Sequence, residues 1–350
     1  MKIAFVLPSL ANKGPVILVK QLVGFLLRAK QHCDVYYFDE LLEIDFPCAT
    51  KRIRFLEAIP FKDYDVVHSH LFRPDLYCWF HRKKIPPATK LITTIHTAIY
   101  EDLAHSHGKL KSRLVIPLWE MALQAMDQVV VLTQVAAAYY QHLKLKQVCI
   151  IHNGIELPAP VGDIPAADQQ ILDQLKEKYI LLGSVCAIDQ RKGLEQVIQL
   201  LGQEPGYAFV VVGDGPLAAA LQQQASEQGV AERFKILGFR EAGYRYQVHF
   251  QLAMLPSRSE GMPLALLEAM ALQVPVVCAD IPSLRAVFPE NEINYFTLDD
   301  IPRLSGACKE ALQTAEIKTA AARRHYERSF SLDQMGESYL RVYDSGPIFE

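Results

Sequence analysis

Short apolar runs recur along the chain, and a polar loop and a stretch with helical spacing follow each of them. Runs rich in valine and isoleucine are typical of strands that are buried on both faces of a parallel sheet. The runs are Ile3–Leu7, Val35–Phe38, Val66–His68, Leu91–Thr94, Gln128–Leu132, Val148–Ile151, Tyr179–Val185, Ala208–Val212, Phe234–Leu237, Leu252–Leu255 and Val274–Cys278. The alternation predicts an α/β chain with two doubly wound, Rossmann-like sheets.

The boundary between the two sheets is expected in the proline-rich stretch Pro158–Pro165, whose composition suits a linker. The sequence therefore predicts a first domain over residues 1–157 and a second over residues 158–330. The remaining segment, residues 331–350, contains Met335, Tyr339 and Val342 at helical spacing. We expect a final helix there.

Composition narrows the class of protein. Half of the 350 residues are apolar and the net charge is −3, so a soluble globular protein without affinity for nucleic acid is indicated. The first half of the chain is basic and the second half acidic. Two basic clusters, Arg82-Lys83-Lys84 and Lys109-x-Lys111-x-Arg113, indicate either peripheral contact with an anionic membrane or simply solvated loops.

The seven cysteines form no Cys-x-x-Cys pair, and several stand in apolar runs. Buried free thiols in a reducing compartment are the natural interpretation. The start of the chain is too short in apolar residues for a signal peptide, and no later stretch reaches the roughly 18 apolar residues of a membrane span. We expect a cytoplasmic protein, either free or attached to the inner face of the membrane.

The most informative stretch is Pro256–Ala271, which follows a predicted strand. Pro263 suits the first turn of a helix, and a helix start offers free N–H groups and a positive dipole end to a phosphate. Glu260 precedes the helix and Glu268 lies within it, so one ligand could meet both carboxylates. The donor-binding candidates here are Gly261, Met262, Pro263, Leu264 and Glu268. The alternative is a capped surface helix with two solvated carboxylates.

Arg191-Lys192-Gly193 follows another predicted strand, and two cations at the carboxyl end of a strand can neutralise a diphosphate. A solvated basic turn is the alternative. Gly213-Asp214-Gly215 is a weaker signal, because a tight turn explains it as well as a phosphate loop does. No G-x-G-x-x-G or G-x-S-x-G motif supports an oxidoreductase or a hydrolase.

Several histidines stand in pairs, a pattern that can indicate metal ligands. We expect His68 and His70 on opposite sides of their strand, where they could not easily share one ion. His105 and His107 lie in a polar loop, and no cysteine or carboxylate completes a site at the usual spacing. No metal or other cofactor is therefore predicted. His96 ends a buried strand, where such sheets bind ligands, although a core histidine is the alternative.

The Pro256–Ala271 stretch resembles the Glu-x7-Glu motif of the retaining glycosyltransferases with two Rossmann-like domains, known as glycosyltransferase family 4. Other segments match that family in the same order along nearly the whole chain. They are Gly14 after the first strand, Tyr64–His70 with its His-x-His, Thr94–His96, Ile151–Ile155 with its Asn-Gly turn, Val211–Pro216 and Glu268–Ala271.

The resemblance implies two domains that face a central cleft, with the final helix crossing back to the first domain. The first domain would bind a glycan or lipid-linked acceptor, and the second a UDP- or GDP-sugar. Arg191 and Lys192 would stabilise the departing diphosphate, Glu260 would hold sugar hydroxyls, Glu268 the ribose, and His96 the donor sugar. Gly14 would also contact the donor. Transfer would retain the anomeric configuration and would serve the synthesis of a bacterial surface polysaccharide or lipopolysaccharide.

Several positions depart from the family pattern. Pro15 stands where a second glycine is usual, Cys186-Ala187 replaces a common Gly-Arg, and Gln273 replaces a glycine. The glycine pair and glutamate usual after the next strand are absent from Ala279–Arg285. These departures leave the expected fold unchanged and the donor sugar unassigned. Two rival functions stay open, a nucleotide-sugar 2-epimerase on the same architecture and a nonenzymatic sugar- or lipid-binding relative.

Overall fold

The computed structural model of this chain describes residues 1–96 and 109–344, with side chains described from residue 115 onward in the second range. The chain forms two compact units. Unit 1 comprises Met1–Glu156 and Ser329–Glu350, and unit 2 comprises Leu157–Arg328. These limits lie within two residues of the domain boundaries expected from the sequence. Each unit is described by itself below.

Unit 1 is built on a seven-stranded sheet whose described pairings are all parallel. The strand order is β3-β2-β1-β4-β5-β6-β7, so the winding reverses between β1 and β4. Ligands bind at the carboxyl edge of such sheets, near the point of reversal. The strands are β1 Lys2–Leu10, β2 His32–Leu42, β3 Ala49–Arg52, β4 Val66–His70, β5 Lys90–Ile95, β6 Gln128–Val131 and β7 Val148–Ile150.

Five α-helices are described in unit 1, and several of them pack against the strands of this sheet. They are α1 Gly14–Arg28, α2 Phe72–Phe80, α3 Lys109–Gln124, α4 Gln134–Tyr139 and, at the end of the chain, α12 Leu332–Asp344. Helix α12 packs against α1. Its inward face carries Met335, Tyr339 and Val342, all of which are buried. The final helix therefore belongs to the first domain, as the resemblance implied.

Unit 2 repeats the architecture with a six-stranded parallel sheet in the order β10-β9-β8-β11-β12-β13. The winding reverses between β8 and β11. The strands are β8 Ile180–Val185, β9 Tyr207–Val212, β10 Phe234–Gly238, β11 Leu252–Leu255, β12 Val276–Ala279 and β13 Asn294–Phe296. The helices are α5 Ala166–Lys176, α6 Glu195–Gln203, α7 Ala218–Glu227, α8 Leu264–Ala271, α9 Pro282–Arg285, α10 Ile301–Gln313 and α11 Ala315–Ser329.

All eleven predicted strands are present, because their apolar runs are the sheet cores. Every residue of β9, β11 and β12 is buried. Two strands were not predicted. All four residues of β3, Ala-Thr-Lys-Arg, are exposed, and β13 has only three residues. Both lie at sheet edges, where backbone pairing can make a strand without any apolar pattern.

A fully buried carboxylate ties two strands to two helices in unit 1. Asp75 on α2 accepts hydrogen bonds through Oδ1 from the hydroxyl groups of Ser69 on β4 and Thr93 on β5, each at 2.7 Å. Its Oδ2 accepts one from Trp119 Nε1 on α3, also at 2.7 Å. Burial raises the pKa of Asp75 to about 6, and the three donors oppose that rise. Because a buried carboxylate is costly without donors, these contacts fix α2 and α3 against the sheet.

Candidate active site

In unit 2, the two loops that carry the predicted catalytic residues flank the point where the winding reverses. One loop follows β8 and contains a short 3₁₀ helix, Gln190–Lys192. The other follows β11 and leads into α8. Strands β8 and β11 are direct neighbours. Since both strands run parallel, both loops emerge at the carboxyl edge of the sheet.

Lys192 and Glu260 meet across these two loops. Lys192 Nζ donates a hydrogen bond of 2.6 Å to Glu260 Oε1. The two side chains are only 16% and 9% exposed, so the ion pair is largely withdrawn from water. Burial by itself would lower the pKa of Lys192, but the Glu260 carboxylate outweighs it and the pKa is raised. The lysine is therefore a cation at physiological pH, held by a carboxylate that a ligand could replace.

A small cavity of about 30 Å³ lies beside this ion pair, which is room for about one water molecule. Lys192, Glu260, Cys186, Ser257 and Gln247 contribute to its wall. The Cys186 thiol lies near both charges, and burial raises its pKa to about 12. It therefore stays protonated, as the sequence predicted for a free thiol.

Arg191 is oriented differently from its neighbour. Its backbone N–H donates to Asp189 Oδ1 at 2.9 Å, and its guanidinium donates to Asp189 Oδ2 at 3.1 Å. Asp189 thus caps the 3₁₀ helix and holds the arginine side chain. Of the two predicted diphosphate ligands, Lys192 faces Glu260 while Arg191 is held by Asp189.

The segment before α8 contains the predicted donor-binding residues Gly261, Met262, Pro263 and Leu264. The helix begins at Leu264, and Pro263 precedes it as the extended N-cap residue, with φ −71° and ψ 130°. The sequence predicts Pro263 within the first turn of the helix, whereas the helix begins one residue after it. In the first turn of α8, the Leu266 N–H donates to Pro263 O at 3.2 Å. The N–H groups before it are those that a helix start leaves without an acceptor in the helix, and they lie directly after the loop that carries Glu260.

Glu268 lies in the second turn of α8 and is partly exposed. Burial of its carboxyl group raises its pKa to about 7, and a hydrogen bond from Gln247 opposes that rise. Gln247 also donates from Nε2 to Ala265 O at 2.8 Å. Near neutral pH, Glu268 therefore exists in both protonation states, and a ligand that donates hydrogen bonds would favour the carboxylate.

Two glycines allow the loops to approach this closely. Gly193 has φ +59°, and a Cβ atom there would lie 2.2 Å from Pro256 O, which is a severe clash. Gly213 has φ +153°, and a Cβ atom there would lie 1.8 Å from Cys186 O. The Gly213 motif therefore has a structural explanation as a tight turn against the loop after β8.

In unit 1, the predicted site residue His96 belongs to a cluster of buried histidines. His70 Nδ1 lies 2.9 Å from His96 Nε2, and the rings of His68 and His70 have centroids 4.2 Å apart. The expectation that His68 and His70 point to opposite sides of the strand was wrong. Residues two apart on a strand point to the same face, and β4 is regular here. Among the residues that the structure describes, no group of three or more His, Cys, Asp or Glu could hold a metal.

The cluster is electrically neutral at physiological pH. Burial lowers the pKa of His68 to about 3 and that of His96 to about 4, and it lowers the pKa of His70 well below its usual value. His68 bridges elements distant in the chain, with Nδ1 2.8 Å from the Tyr343 hydroxyl on α12 and Nε2 2.8 Å from Thr94 Oγ1. His96 can therefore offer a hydrogen bond to a ligand, but not a positive charge.

The remaining predicted residue, Gly14, is the first residue of α1 and follows β1 in unit 1. The structure thus brings together Lys192, Glu260 and the start of α8 in unit 2, while Gly14 and His96 lie in unit 1. His105 and His107 lie outside the described residues. The sequence analysis did not identify Gln196, Gln247 or Arg258 as site residues. Their contacts at this edge of unit 2 are visible only in the structure.

Comparisons with known proteins agree with this architecture. The family described as "Glycosyltransferase Family 4" matches residues 29–158, and the one described as "Glycosyl transferases group 1" matches residues 168–326. The O-antigen biosynthesis glycosyltransferase WclY of Escherichia coli is 28% identical over 99% of this chain and 98% of its own length. The chain is a glycosyltransferase of the two-Rossmann-domain type that is similar to family 4.

Solved structures support the fold of this glycosyltransferase. Sucrose-phosphate synthase from Thermosynechococcus elongatus is similar with a TM-score of 0.81 and 19% identity, covering 98% of each chain. Anabaena HepE, solved in complex with UDP and glucose, has a TM-score of 0.80 and 18% identity, covering 98% of this chain and 99% of its own. The predicted family and fold class are confirmed, whereas the roles of the individual site residues stay predictions.

The buried histidines of the glycosyltransferase should make unit 1 sensitive to acid. Because the folded pKa of His68 lies below its unfolded value of about 6.5, its contribution is complete above pH 6.5 and is lost as the pH falls toward 3. We expect His68→Gln to reduce the slope of unfolding free energy against pH by up to about 1.4 kcal/mol per pH unit between pH 6 and pH 4.

Urea unfolding followed by tryptophan fluorescence measures this, since the two tryptophans, Trp79 and Trp119, both belong to unit 1. His142→Gln is the matched control, because the His142 side chain is 52% exposed. An unchanged slope in His68→Gln would contradict the assignment of a neutral, buried His68.

Proposed function

We propose that the protein is a retaining glycosyltransferase that moves a hexose-type sugar from a UDP- or GDP-sugar to a glycan or lipid-linked acceptor. The C1–O bond to the diphosphate breaks, and the diphosphate keeps the electron pair. The acceptor oxygen forms the new bond to C1 and loses its proton. The observation that carries the proposal is the buried Lys192–Glu260 ion pair at the carboxyl edge of unit 2, next to the start of α8.

The ion pair suits a diphosphate for an electrostatic reason. A diphosphate that approaches the start of α8 competes with Glu260 for the ammonium group of Lys192. If the diphosphate takes Lys192, the Glu260 carboxylate becomes free to accept hydrogen bonds from sugar hydroxyls. Negative charge on the diphosphate grows as the C1–O bond breaks, and preorganised cations stabilise growing charge most effectively. Lys192 would therefore act on the chemical step, and Arg191 would support it once released from Asp189.

The other site residues have supporting parts. Glu268 would accept hydrogen bonds from the ribose hydroxyls, a role that requires its carboxylate form. His96, neutral and hydrogen-bonded to His70, would orient the donor sugar. Gly14 would allow the donor to approach the chain closely. We propose that catalysis needs no divalent metal, because Lys192 and the N–H groups at the start of α8 can meet the charge of the diphosphate.

The biological setting that we propose is the synthesis of a bacterial surface polysaccharide or lipopolysaccharide. The E. coli relative that matches the chain over almost its full length is an O-antigen biosynthesis glycosyltransferase. A second E. coli relative, an O-antigen chain mannosyltransferase, is 25% identical over 88% of this chain. The similar structure of HepE was solved with UDP, which favours a nucleotide-sugar donor for this chain as well.

A panel of UDP- and GDP-sugars tests the proposal directly. We expect one donor to stabilise the protein thermally, by about 2.7 kcal/mol at a hundred times its dissociation constant. With an acceptor extract, that donor should yield a new glycoside of unchanged anomeric configuration, and a chelator should not abolish transfer. A changed nucleotide sugar formed without acceptor would indicate an epimerase. Stabilisation without turnover or hydrolysis would indicate a binding protein.

The two charged residues should have separable kinetic effects. We expect Lys192→Ala to lower kcat by about 10²–10³-fold with the fold intact, since it removes a cation that meets developing charge. Glu268→Ala should mainly raise the KM for the donor, because a ribose contact exists before and during reaction. In the wild type, KM should fall as the pH rises through about 7, as the Glu268 carboxylate forms.

Glu268→Gln serves as the control for the pH effect, since it keeps the shape and cannot ionise. It should flatten the dependence of KM on pH. The mechanism is wrong if Lys192→Ala raises only KM while Glu268→Ala lowers only kcat, because the assigned roles would then be reversed.

We also propose peripheral contact between unit 1 and an anionic membrane, consistent with a place at its cytoplasmic face. Lys83 and Lys84 are exposed in the 3₁₀ helix Arg82–Lys84, which begins two residues after the apolar Phe80, and Phe80 is 51% exposed. Leu56 is 73% exposed and adjoins Phe55, whose ring lies 5.5 Å from that of Phe80. Basic and apolar groups side by side suit the interface of an anionic bilayer.

The second basic cluster, Lys109, Lys111 and Arg113, belongs to residues whose side chains are not described. None of the helices in the described ranges is long and apolar enough to cross a membrane. The membrane contact that we propose would involve the exposed Lys83 and Lys84.

Reversing two charges tests this contact. We expect Lys83→Glu/Lys84→Glu to lower binding to anionic vesicles at low salt by at least about tenfold, since each basic group near the surface contributes about 1 kcal/mol. Vesicle sedimentation measures the effect. The matched control is Lys178→Glu/Arg324→Glu, which changes two exposed cations of unit 2. Equal sedimentation of the wild type with neutral and anionic vesicles would count against membrane contact.

A further inference from the structure

A buried glutamine connects three backbone segments beside the candidate active site. Gln196 lies in the first turn of α6 and is 1% exposed. Its Nε2 donates to Gly193 O at 3.1 Å and to Pro256 O at 3.0 Å. Its Oε1 accepts from the backbone N–H of Asp299 at 2.7 Å. The carboxamide therefore uses both of its donor hydrogens and its acceptor on main-chain groups.

Two of these main-chain groups, Gly193 O and Pro256 O, belong to the loops that carry the Lys192–Glu260 ion pair. Gly193 directly follows Lys192, and Pro256 begins the loop that leads to Glu260. A second bond joins the same loops, from the backbone N–H of Arg258 to Arg191 O at 2.7 Å. The distance between the two loops is thus fixed by short polar contacts at their bases, and Lys192 lies in the chain between two of the residues that make them.

The third segment is anchored from the same side. Asp299 has a left-handed backbone with φ +62°, which is uncommon for residues other than glycine, although aspartate adopts it more readily than most. Its carboxylate accepts two hydrogen bonds from the Arg258 guanidinium, at 2.8 and 2.7 Å. Arg258 also donates to Glu195 Oε1 at 2.6 Å. Gln196 and Arg258 therefore bind the same three segments, one from inside the unit and one from its surface.

Packing of α6 does not require a glutamine at this position. The helix buries an apolar face made of Val197, Ile198, Leu200 and Leu201. An apolar residue in place of Gln196 would add to that face, but it would leave Pro256 O and the Asp299 N–H without this partner, whereas Gly193 O would keep the backbone N–H of residue 196 at 3.2 Å. A buried main-chain group without a partner costs free energy, so the loops would be expected to move apart or admit water.

We propose that Gln196 is a positioning residue for the transfer reaction, setting the separation of Lys192 and Glu260 by holding the bases of their loops together. The proposal rests on the proposed function of those two residues. A misplacement of about 1 Å in a catalytic group can lower the rate about a hundredfold. Loss of a contact at the loop bases is therefore expected to lower kcat. Gln196 itself would not touch the donor.

The test replaces Gln196 with residues of similar size. Methionine keeps the length and removes all three hydrogen bonds, and glutamate keeps the acceptor for the Asp299 N–H but loses both donors. We expect Gln196→Met and Gln196→Glu to lower kcat about 10- to 100-fold while the KM for the donor changes less than about threefold. If one variant fails to fold, the other gives the result.

A double-mutant cycle separates positioning from general damage. If Gln196 acts through Lys192, the variant Lys192→Ala/Gln196→Met should turn over within about threefold of Lys192→Ala alone. Ile198→Val is the matched control, because it weakens packing of the same helix and leaves the loop contacts intact. It should keep the kcat of the wild type. Full additivity in the cycle, or a wild-type kcat in both Gln196 variants, would overturn the proposal.

A readout without turnover keeps this inference separate from the proposed function. Hydrogen exchange of the backbone amides in 190–193 and 256–260 should become faster in Gln196→Met and stay unchanged in Ile198→Val. If no donor supports transfer by the wild type but Gln196→Met still speeds hydrogen exchange in both loops, the proposed function is wrong. The inference that Gln196 holds the two loops together would remain correct. Unchanged exchange in Gln196→Met would show that the glutamine does not hold the loops.

Discussion

The constraint on which the rest of the structure depends is the parallel direction of every described strand in each unit. Parallel strands send their carboxyl ends to one edge, so the loops that follow β8 and β11 emerge side by side. Only this placement lets Lys192 and Glu260, 68 positions apart in the chain, share a hydrogen bond of 2.6 Å. In unit 1 the same geometry brings His70, at the end of β4, against His96, which follows β5.

Much of the fold could be predicted because its information is local. A buried parallel strand needs a short apolar run, and a loop at its end needs glycine or proline, and both are visible in the sequence. The edge strands β3 and β13 were not predicted, since all four residues of β3 are exposed and β13 has only three residues. The start of α8 was misplaced by one residue because Pro263 is acceptable both as the N-cap and in the first turn.

The candidate site could be predicted only as far as its residues form motifs. Lys192 and Glu260 were found because each stands in a recognisable string. Side-chain direction was harder, since Arg191 is held by Asp189, and His68 and His70 share a face that the sequence analysis had divided. Gln196 could not be found at all, because two of its three partners, Pro256 O and the Asp299 N–H, lie in segments that meet it only after the chain has folded.

The contacts of Asp75 have a consequence for how such a sequence can change. Its carboxylate depends on donors from β4, β5 and α3 at once. Replacing Trp119 by phenylalanine would leave the carboxylate with two donors, and its protonated form would become more favourable. With Trp119 in place, an asparagine at position 75 that kept its oxygen toward Ser69 and Thr93 would turn its NH₂ group toward the indole N–H, which needs an acceptor. We therefore expect related chains to change these positions together, so that a substitution at one is accompanied by substitutions at the others. The four positions are Ser69, Asp75, Thr93 and Trp119.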